Sequence, residues 1–142
     1  MAITLTEGTL TVDQACRDES ITLLRFSALS ATLVVTRAWD LSATQREGYL
    51  AQQLAVVEQR TNHFRMEPSQ PAMLGPLPAE EVALTFEQNG ATLVQRLLVA
   101  ELDDHLLILN FSRVTDFDDA ALAAWQQIKQ SFIPRHEGEL AL

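Results

Sequence analysis

Apolar and polar residues alternate through residues 80–112, on both sides of the dipeptide Asn89-Gly90. Asn-Gly tolerates the positive φ angles that a type I′ turn needs at both central positions, so it predicts a two-residue β-hairpin. Counting outward from this turn places Leu84 opposite Gln95, with both side chains on one face of the hairpin. The turn therefore fixes the register of the two strands.

A second turn at Asp103-Asp104 extends the hairpin into a three-stranded meander and places Val99 opposite Ile108. The face opposite to Leu84 is also apolar; it carries Val94, Leu98, Ala100, Leu107, Leu109 and Phe111. An antiparallel sheet with two apolar faces needs cover on both of them. Gln95 stands within an apolar row, and an unpartnered buried amide costs about 1–3 kcal/mol. The spacing leaves open whether backbone, water, a polar neighbour or a bound partner satisfies this amide.

Two further β-rich runs, residues 21–26 and 31–37, are separated by a four-residue loop. A symmetric hairpin across this loop places Leu23 opposite Val34, on the same side as Ile21. The other side is more uniformly apolar and is the predicted core face; it carries Leu24, Phe26, Leu33 and Val35. The sequence therefore predicts that Ile21, Leu23 and Val34 lie on a partly apolar outer surface.

Two capped apolar stripes predict two main helices. Ser42 and Gln45 have the spacing of a capping box, and the helix that follows extends to about Asn62 with an apolar stripe at Leu50, Leu54, Val57 and Thr61. Gln53 borders this stripe, which is typical of a rim position. The second helix begins after residues 115–118, is stopped by Pro134, and has its stripe at Phe117, Ala121, Ala124, Trp125, Ile128 and Phe132.

The remaining segments complete an α+β architecture: an antiparallel sheet made of two hairpin or meander units, with two main helices. Residues 4–12 predict a short strand broken at a glycine kink or tight turn near Gly8. Residues 66–78 contain four prolines and predict a connector with at most one short strand. At 142 residues, the chain is long enough for one domain over residues 1–142. Its tail, residues 135–142, is predicted to be frayed.

The charge of the chain narrows the range of partners. Nineteen acidic residues against ten basic ones give a formal charge of −9, which repels phosphate groups. We therefore expect neither nucleic acid nor an anionic membrane surface as a partner. No run approaches the roughly 20 apolar residues of a membrane span, and the first residues do not have the pattern of a secretion signal. We expect a cytoplasmic protein that does not insert into a membrane itself.

No pattern of catalytic or metal-binding residues is present in the sequence. His63, His105 and His136 fall on different predicted elements, without the paired spacing of a metal site. Cys16 is the only cysteine, so it predicts a structural residue. Glycine-rich phosphate loops and nucleophile elbows are also missing. The sequence predicts a protein that is not an enzyme, with no catalytic residues, no metal and no cofactor.

The order of the predicted elements along the chain resembles the DcrB-like family. Within that family it resembles the Eag branch, whose members are chaperones of type VI secretion effectors. The resembling segments, in chain order, are ITLTEG (3–8), DESITLL (18–24), LVVTR (33–37), YLAQQLAVV (49–57), GATLVQR (90–96) and WQQIKQSF (125–132). None of these segments is a catalytic signature, and their succession carries the resemblance. Thr22 stands where relatives often carry Asn.

The resemblance implies a Mog1/PsbP-like fold, usually dimeric, that holds the N-terminal transmembrane segments of a secreted effector in a groove. The apolar groove residues of the family match Ile21, Leu23 and Val34 in this chain. Its glutamines, which hydrogen-bond the bound helix, match Gln53 and Gln95. An alternative that the sequence leaves open is a non-catalytic, dimeric DcrB-like domain that uses the same surface for self-association or for binding a lipid.

Overall fold

A computed structural model describes residues 1–135, so the tail that is predicted to fray lies almost wholly outside the described residues. The elements in chain order are β1 (Ala2–Thr4), β2 (Thr9–Thr11), β3 (Thr22–Phe26), a 3-10 turn (Ser27–Leu29), β4 (Ala31–Trp39), α1 (Ala43–Glu47), α2 (Tyr49–Arg60), β5 (Asn62–Met66), β6 (Gln70–Leu74), β7 (Leu77–Gln88), β8 (Ala91–Glu101), β9 (His105–Arg113) and α3 (Asp119–Gln130). Strands β1 and β2 pair only with each other within this range. The other strands form one seven-stranded antiparallel sheet in the order β3-β4-β9-β8-β7-β5, and β6 also pairs with β7.

The predicted strand registers are confirmed. Asn89 and Gly90 both have positive φ angles, 54° and 80°, as a type I′ turn requires. The pairings that the sequence predicts are all present: Leu84 with Gln95, Val99 with Ile108, and Leu23 with Val34. The side of the sheet on which the residues of β3, β4, β7, β8 and β9 lie therefore follows from the sequence.

Each face of the sheet has its own apolar core, as the prediction of cover on both sides requires. The core beneath α3 contains Ala31, Leu33, Leu74, Leu98, Ala100, Leu107, Leu109, Phe111 and Trp125. The core beneath α2 contains Leu50, Leu54, Val82, Leu84, Phe86, Leu97, Leu106 and Ile108. The sheet is thus the middle layer of three, and α2 and α3 pack on its opposite faces.

Polar contacts fasten α3 to the sheet. The Asp118 carboxylate caps the helix by accepting from the backbone N–H of Ala121 at 2.8 Å. Further along the helix, Trp125 Nε1 and Lys129 Nζ both donate to the Glu81 carboxylate of β7, at 3.0 and 2.6 Å. Because Glu81 and Lys129 are largely buried, their charges are desolvated together and each needs the other.

The first predicted helix differs from the prediction because it is divided. The Ser42–Gln45 capping box is present, with backbone-to-side-chain bonds of 2.8 and 3.1 Å in both directions. Gly48 then separates α1 from α2, so the described residues contain three α-helices where two main helices were predicted. A glycine stabilises helix interiors poorly because it loses the most backbone entropy, which accounts for the break at this position.

Two other segments form paired strands: the first has the tight turn that the sequence allowed, and the second is more regular than predicted. The broken strand at residues 4–12 is a hairpin, in which β1 and β2 pair around a turn closed by a bond between Leu5 N–H and the Gly8 carbonyl. The proline-rich connector contains β6 and the start of β7, with Pro71 paired to Glu80. Proline fits here because β6 lies at the edge of the sheet, where a strand uses only one side of its backbone.

We expect Gly75→Ala to destabilise the protein. Gly75 has a φ of +56°, and an added Cβ would lie 2.0 Å from the Phe132 carbonyl oxygen that follows α3. The left-handed conformation alone costs a non-glycine residue about 1–2 kcal/mol, so thermal denaturation should show a lower Tm. Gly8→Ala is the matched control, since its added Cβ would meet no atom within 4 Å. Equal melting of both variants and the wild type would contradict this packing.

Candidate functional site

The cover provided by α2 ends before the sheet does. One row of side chains on the α2 face runs from Leu23 on β3, through Val34 on β4 and Asn110 on β9, to Leu97 on β8. Of these four residues, only Leu97 belongs to the apolar core beneath α2. The β3–β4 end of this face therefore carries apolar side chains that α2 does not bury.

We define the outer apolar strip as Ile21, Leu23 and Val34. Ile21 immediately precedes β3 and is 69% exposed, while Leu23 is 51% exposed and Val34 is half-buried. Single exposed apolar residues are ordinary, but neighbouring ones on a sheet face are typical of an interaction surface. The structure therefore places the three apolar residues that the sequence singled out at the surface, with Leu23 and Val34 directly opposite each other.

Gln95 adjoins this strip through a neighbour that the sequence analysis missed. The Nδ2 atom of Asn110 donates to the Oε1 atom of Gln95 over 3.2 Å, and Asn110 lies opposite Val34. Part of the hydrogen-bonding need of the Gln95 amide is thus met within the chain. The sequence contained a signal for Asn110, because the second turn places this residue opposite Leu97 in the predicted meander.

Gln53 belongs to the helix that covers the neighbouring part of this face. It is half-buried on α2, the helix whose Leu50 and Leu54 pack with Leu84, the cross-strand partner of Gln95. The helix of Gln53 therefore lies on the same face of the sheet as Gln95. Within residues 1–135, no side-chain hydrogen bond connects Gln53 to the other four predicted site residues.

A second polar cluster lies at the far end of β4. Arg17 donates to both oxygens of Asp40 at 2.8 and 3.0 Å, and its guanidinium lies 4.7 Å from the ring centre of Trp39. Trp39 in turn stacks on His105 with ring centres 4.0 Å apart. The bonds and charge of Arg17 lower the pKa of the Asp40 carboxyl. These contacts tie the irregular segment before β3 to the sheet.

The described residues contain neither a candidate metal cluster nor a helix that could span a membrane. Residues 1–135 contain no group of three or more His, Cys, Asp or Glu side chains placed to hold a metal ion. None of the helices in the same range combines the length and the apolar character needed to cross a bilayer. The surface that stands out is the outer apolar strip with its adjoining amides.

Comparison with known families agrees with this architecture. A family model described as DcrB matches residues 7–131. The chain belongs to the DcrB family. This match confirms the broader resemblance seen in the sequence, whereas the Eag branch stays a prediction. A search of curated proteins finds no match.

Two solved structures share the fold of this DcrB-family protein. The protein of unknown function PA94 from Pseudomonas aeruginosa matches with a TM-score of 0.72 and 22% identity, over 96% of this chain and 97% of that chain. LpqN, involved in cell envelope biogenesis of Mycobacterium tuberculosis, matches with a TM-score of 0.50 and 17% identity, over 84% and 80% of the two chains. The α+β fold with an antiparallel sheet is therefore confirmed. Neither name includes an enzymatic activity.

We expect Leu23→Asp to leave the stability of this DcrB-family protein nearly unchanged. Leu23 is already half exposed, so its replacement should change the free energy of unfolding by less than about 1 kcal/mol. Leu84→Asp, on the same face but 2% exposed, should cost more than about 3 kcal/mol because it removes core packing and buries a charge. Urea denaturation measures both values. Similar losses in the two variants would show that the strip belongs to the core.

Proposed function

We propose that this DcrB-family protein is a cytoplasmic chaperone of a type VI secretion effector, and that it shields the N-terminal transmembrane helices of that effector. The observation that carries the proposal is the outer apolar strip, which lies beside the hydrogen-bonded Gln95 amide on a sheet face that α2 leaves partly uncovered. The resemblance to the Eag branch supports the same surface, since its groove positions match residues of the strip.

The energetics of such a partner fit an apolar surface. A transmembrane helix has about 20 apolar residues, and burial of each large side chain contributes about 1.5–3 kcal/mol. Such a helix aggregates in water unless another surface covers it. The outer apolar strip supplies attraction without directional requirements, and the helix in turn covers Ile21 and Leu23, which the chain itself leaves exposed.

The amides supply the directional part of the interaction. A hydrogen bond from Gln95 or Gln53 to the bound helix contributes about 0.5–1.5 kcal/mol net. Membrane helices that pack through Gly, Ala or Ser leave their backbone carbonyls accessible to such donors. The outer apolar strip and its amides would therefore favour helices with a small-residue face over other apolar sequences.

The net charge of the protein favours binding of apolar helices over binding of an anionic lipid surface. With a formal charge of −9, the protein is repelled from anionic lipid surfaces and from nucleic acid. We therefore propose that it binds isolated effector helices and does not insert into the membrane itself. No cofactor is needed for this function, because binding alone prevents aggregation.

A second candidate function is self-association or lipid binding through the same surface. Strand β3 is at the edge of the sheet and exposes Leu23 on one face and Leu24, which is 47% exposed, on the other. An edge strand that is apolar on both faces is a ready site for pairing with another strand. A homodimer formed through β3 is compatible with the chaperone role only if the outer apolar strip stays open in it.

The proposal predicts that an adjacent reading frame encodes an effector with apolar segments near its N-terminus, and co-expression with that effector tests it. The probe is the N-terminal fragment of that effector, which contains its apolar segments, and the measurement is the fraction of the fragment that stays in the supernatant. The wild type should keep the fragment soluble, and both Leu23→Asp and the double variant Gln53→Ala/Gln95→Ala should lower that fraction severalfold. Leu10→Asp is the matched control, because Leu10 is similarly exposed but lies on β2.

The outcome distinguishes the two candidate functions. Equal solubility of the fragment with the wild type and with both site variants would refute the assignment of the outer apolar strip and the two glutamines as the binding site. Native mass spectrometry adds the stoichiometry: a dimer that retains the fragment supports the chaperone, whereas a dimer that excludes it, and that Leu23→Asp dissociates, supports self-association. A lipid adduct in place of the fragment would support lipid binding.

A further inference from the structure

We infer that Asn110 is a positioning residue: it holds the Gln95 amide so that Gln95 offers a hydrogen-bond donor to the bound helix. The inference rests on the proposed function and extends it to the kind of helix that is selected. Selected helices would be those that present uncovered backbone carbonyls. Neither the sequence pattern nor the family resemblance had singled out Asn110.

The side-chain amides of Asn110 and Gln95 contact each other. Asn110 on β9 lies opposite Val34 on β4 and opposite Leu97 on β8, so it stands between the outer apolar strip and the core beneath α2. Its Nδ2 atom donates to Oε1 of Gln95 at 3.2 Å. A carboxamide has one oxygen acceptor and one NH2 donor group. One of the two lone pairs of the Gln95 oxygen is therefore already engaged from within the sheet.

The Nε2 group of Gln95 has a different environment from its oxygen. Among residues 1–135, its Nε2 atom has no hydrogen-bond partner, and it is not one of the unpaired atoms sealed from the surface. It follows that Nε2 reaches the surface of this half-buried side chain. Gln95 consequently offers a partner both N–H groups of Nε2 but only one remaining lone pair of Oε1, which favours a partner that provides an acceptor.

Asn110 lowers the stability of the folded protein through its own oxygen. The Oδ1 atom of Asn110 is sealed and has no hydrogen-bond partner within the described residues. A sealed acceptor without a donor destabilises a folded protein, so an apolar side chain of similar size would suit the stability of the sheet better. Asn110 therefore fits a task at the Gln95 amide better than a task in the core.

A donor held on Gln95 would select among apolar helices by the size of their side chains. The carbonyl oxygens of a transmembrane helix are already bonded within the helix, but each can accept a second hydrogen bond where the surrounding side chains are small. Leucine and phenylalanine side chains block that approach. A donor that is fixed in direction thus distinguishes a face of Gly, Ala and Ser from a face of large apolar residues.

The test uses two labelled peptides of about 20 residues, the length of a membrane span, each joined to the same soluble carrier. One peptide has a face of Gly, Ala and Ser in a leucine background, and the other has leucine throughout. The wild type should bind the small-residue peptide about twofold to tenfold more tightly, which is the effect of one net hydrogen bond. Asn110→Leu should abolish most of this preference while its Tm stays equal or rises.

A double-mutant cycle shows whether Asn110 acts through Gln95. If it does, Asn110→Leu combined with Gln95→Ala should bind no more weakly than Gln95→Ala alone. Ser112→Ala is the matched control, since Ser112 is the cross-strand neighbour of Gln95 on the same face, and it should keep the preference. Additive losses in the double variant, or a lower Tm with the preference intact in Asn110→Leu, would overturn the inference.

A measurement without any peptide separates this inference from the proposed function. In the wild type, the side-chain amide hydrogens of Asn110 should exchange with solvent slowly, and Gln95→Ala should speed that exchange. Fast exchange in the wild type would overturn the positioning role even if both peptides bind. Slow exchange in a protein that binds neither peptide would instead refute the chaperone function, and with it any role of Asn110 in selecting helices.

Discussion

The sheet carries apolar side chains on both faces, and this apolar surface is wider than the helices that cover it. Helix α3 and the residues around it cover one face, while α2 covers β7, β8 and only part of β9 on the other. Removing apolar surface from water is the main favourable term in folding and in association. The uncovered end of the α2 face therefore has the same tendency to be buried as the core beside it.

The two helices differ in how they are attached to the sheet. Trp125 and Lys129 of α3 share the buried carboxylate of Glu81, which fixes this helix at a defined position on its face. Within residues 1–135, α2 makes no corresponding side-chain bond to the sheet and packs there through Leu50 and Leu54. Helix α3 is thus held by directional bonds and α2 by apolar packing, while the directional bonds on the α2 face come from Arg46 of α1, which donates to the Leu102 and Asp103 carbonyls.

The site joins two kinds of interaction that have different requirements. The outer apolar strip attracts any apolar surface, because the hydrophobic effect depends on area and not on direction. The amides of Gln95 and Asn110 add direction, because a hydrogen bond weakens steeply when its angle departs from linear. The proposed chaperone role would use both kinds of interaction, because it requires general shielding of apolar helices together with a choice among them.

The sequence by itself determined the register of β3 with β4 and the registers within the β7–β8–β9 meander, because three short loops and a period of two residues fix which strand residues share a face. It also placed Leu23 beside Val34 and marked Gln95 as an amide in need of a partner. It did not determine the division of the first helix at Gly48 or the partner of Gln95. Those depended on how far α2 reaches across the sheet and on the approach of Asn110 from a different strand, and such distances arise only when the whole chain packs.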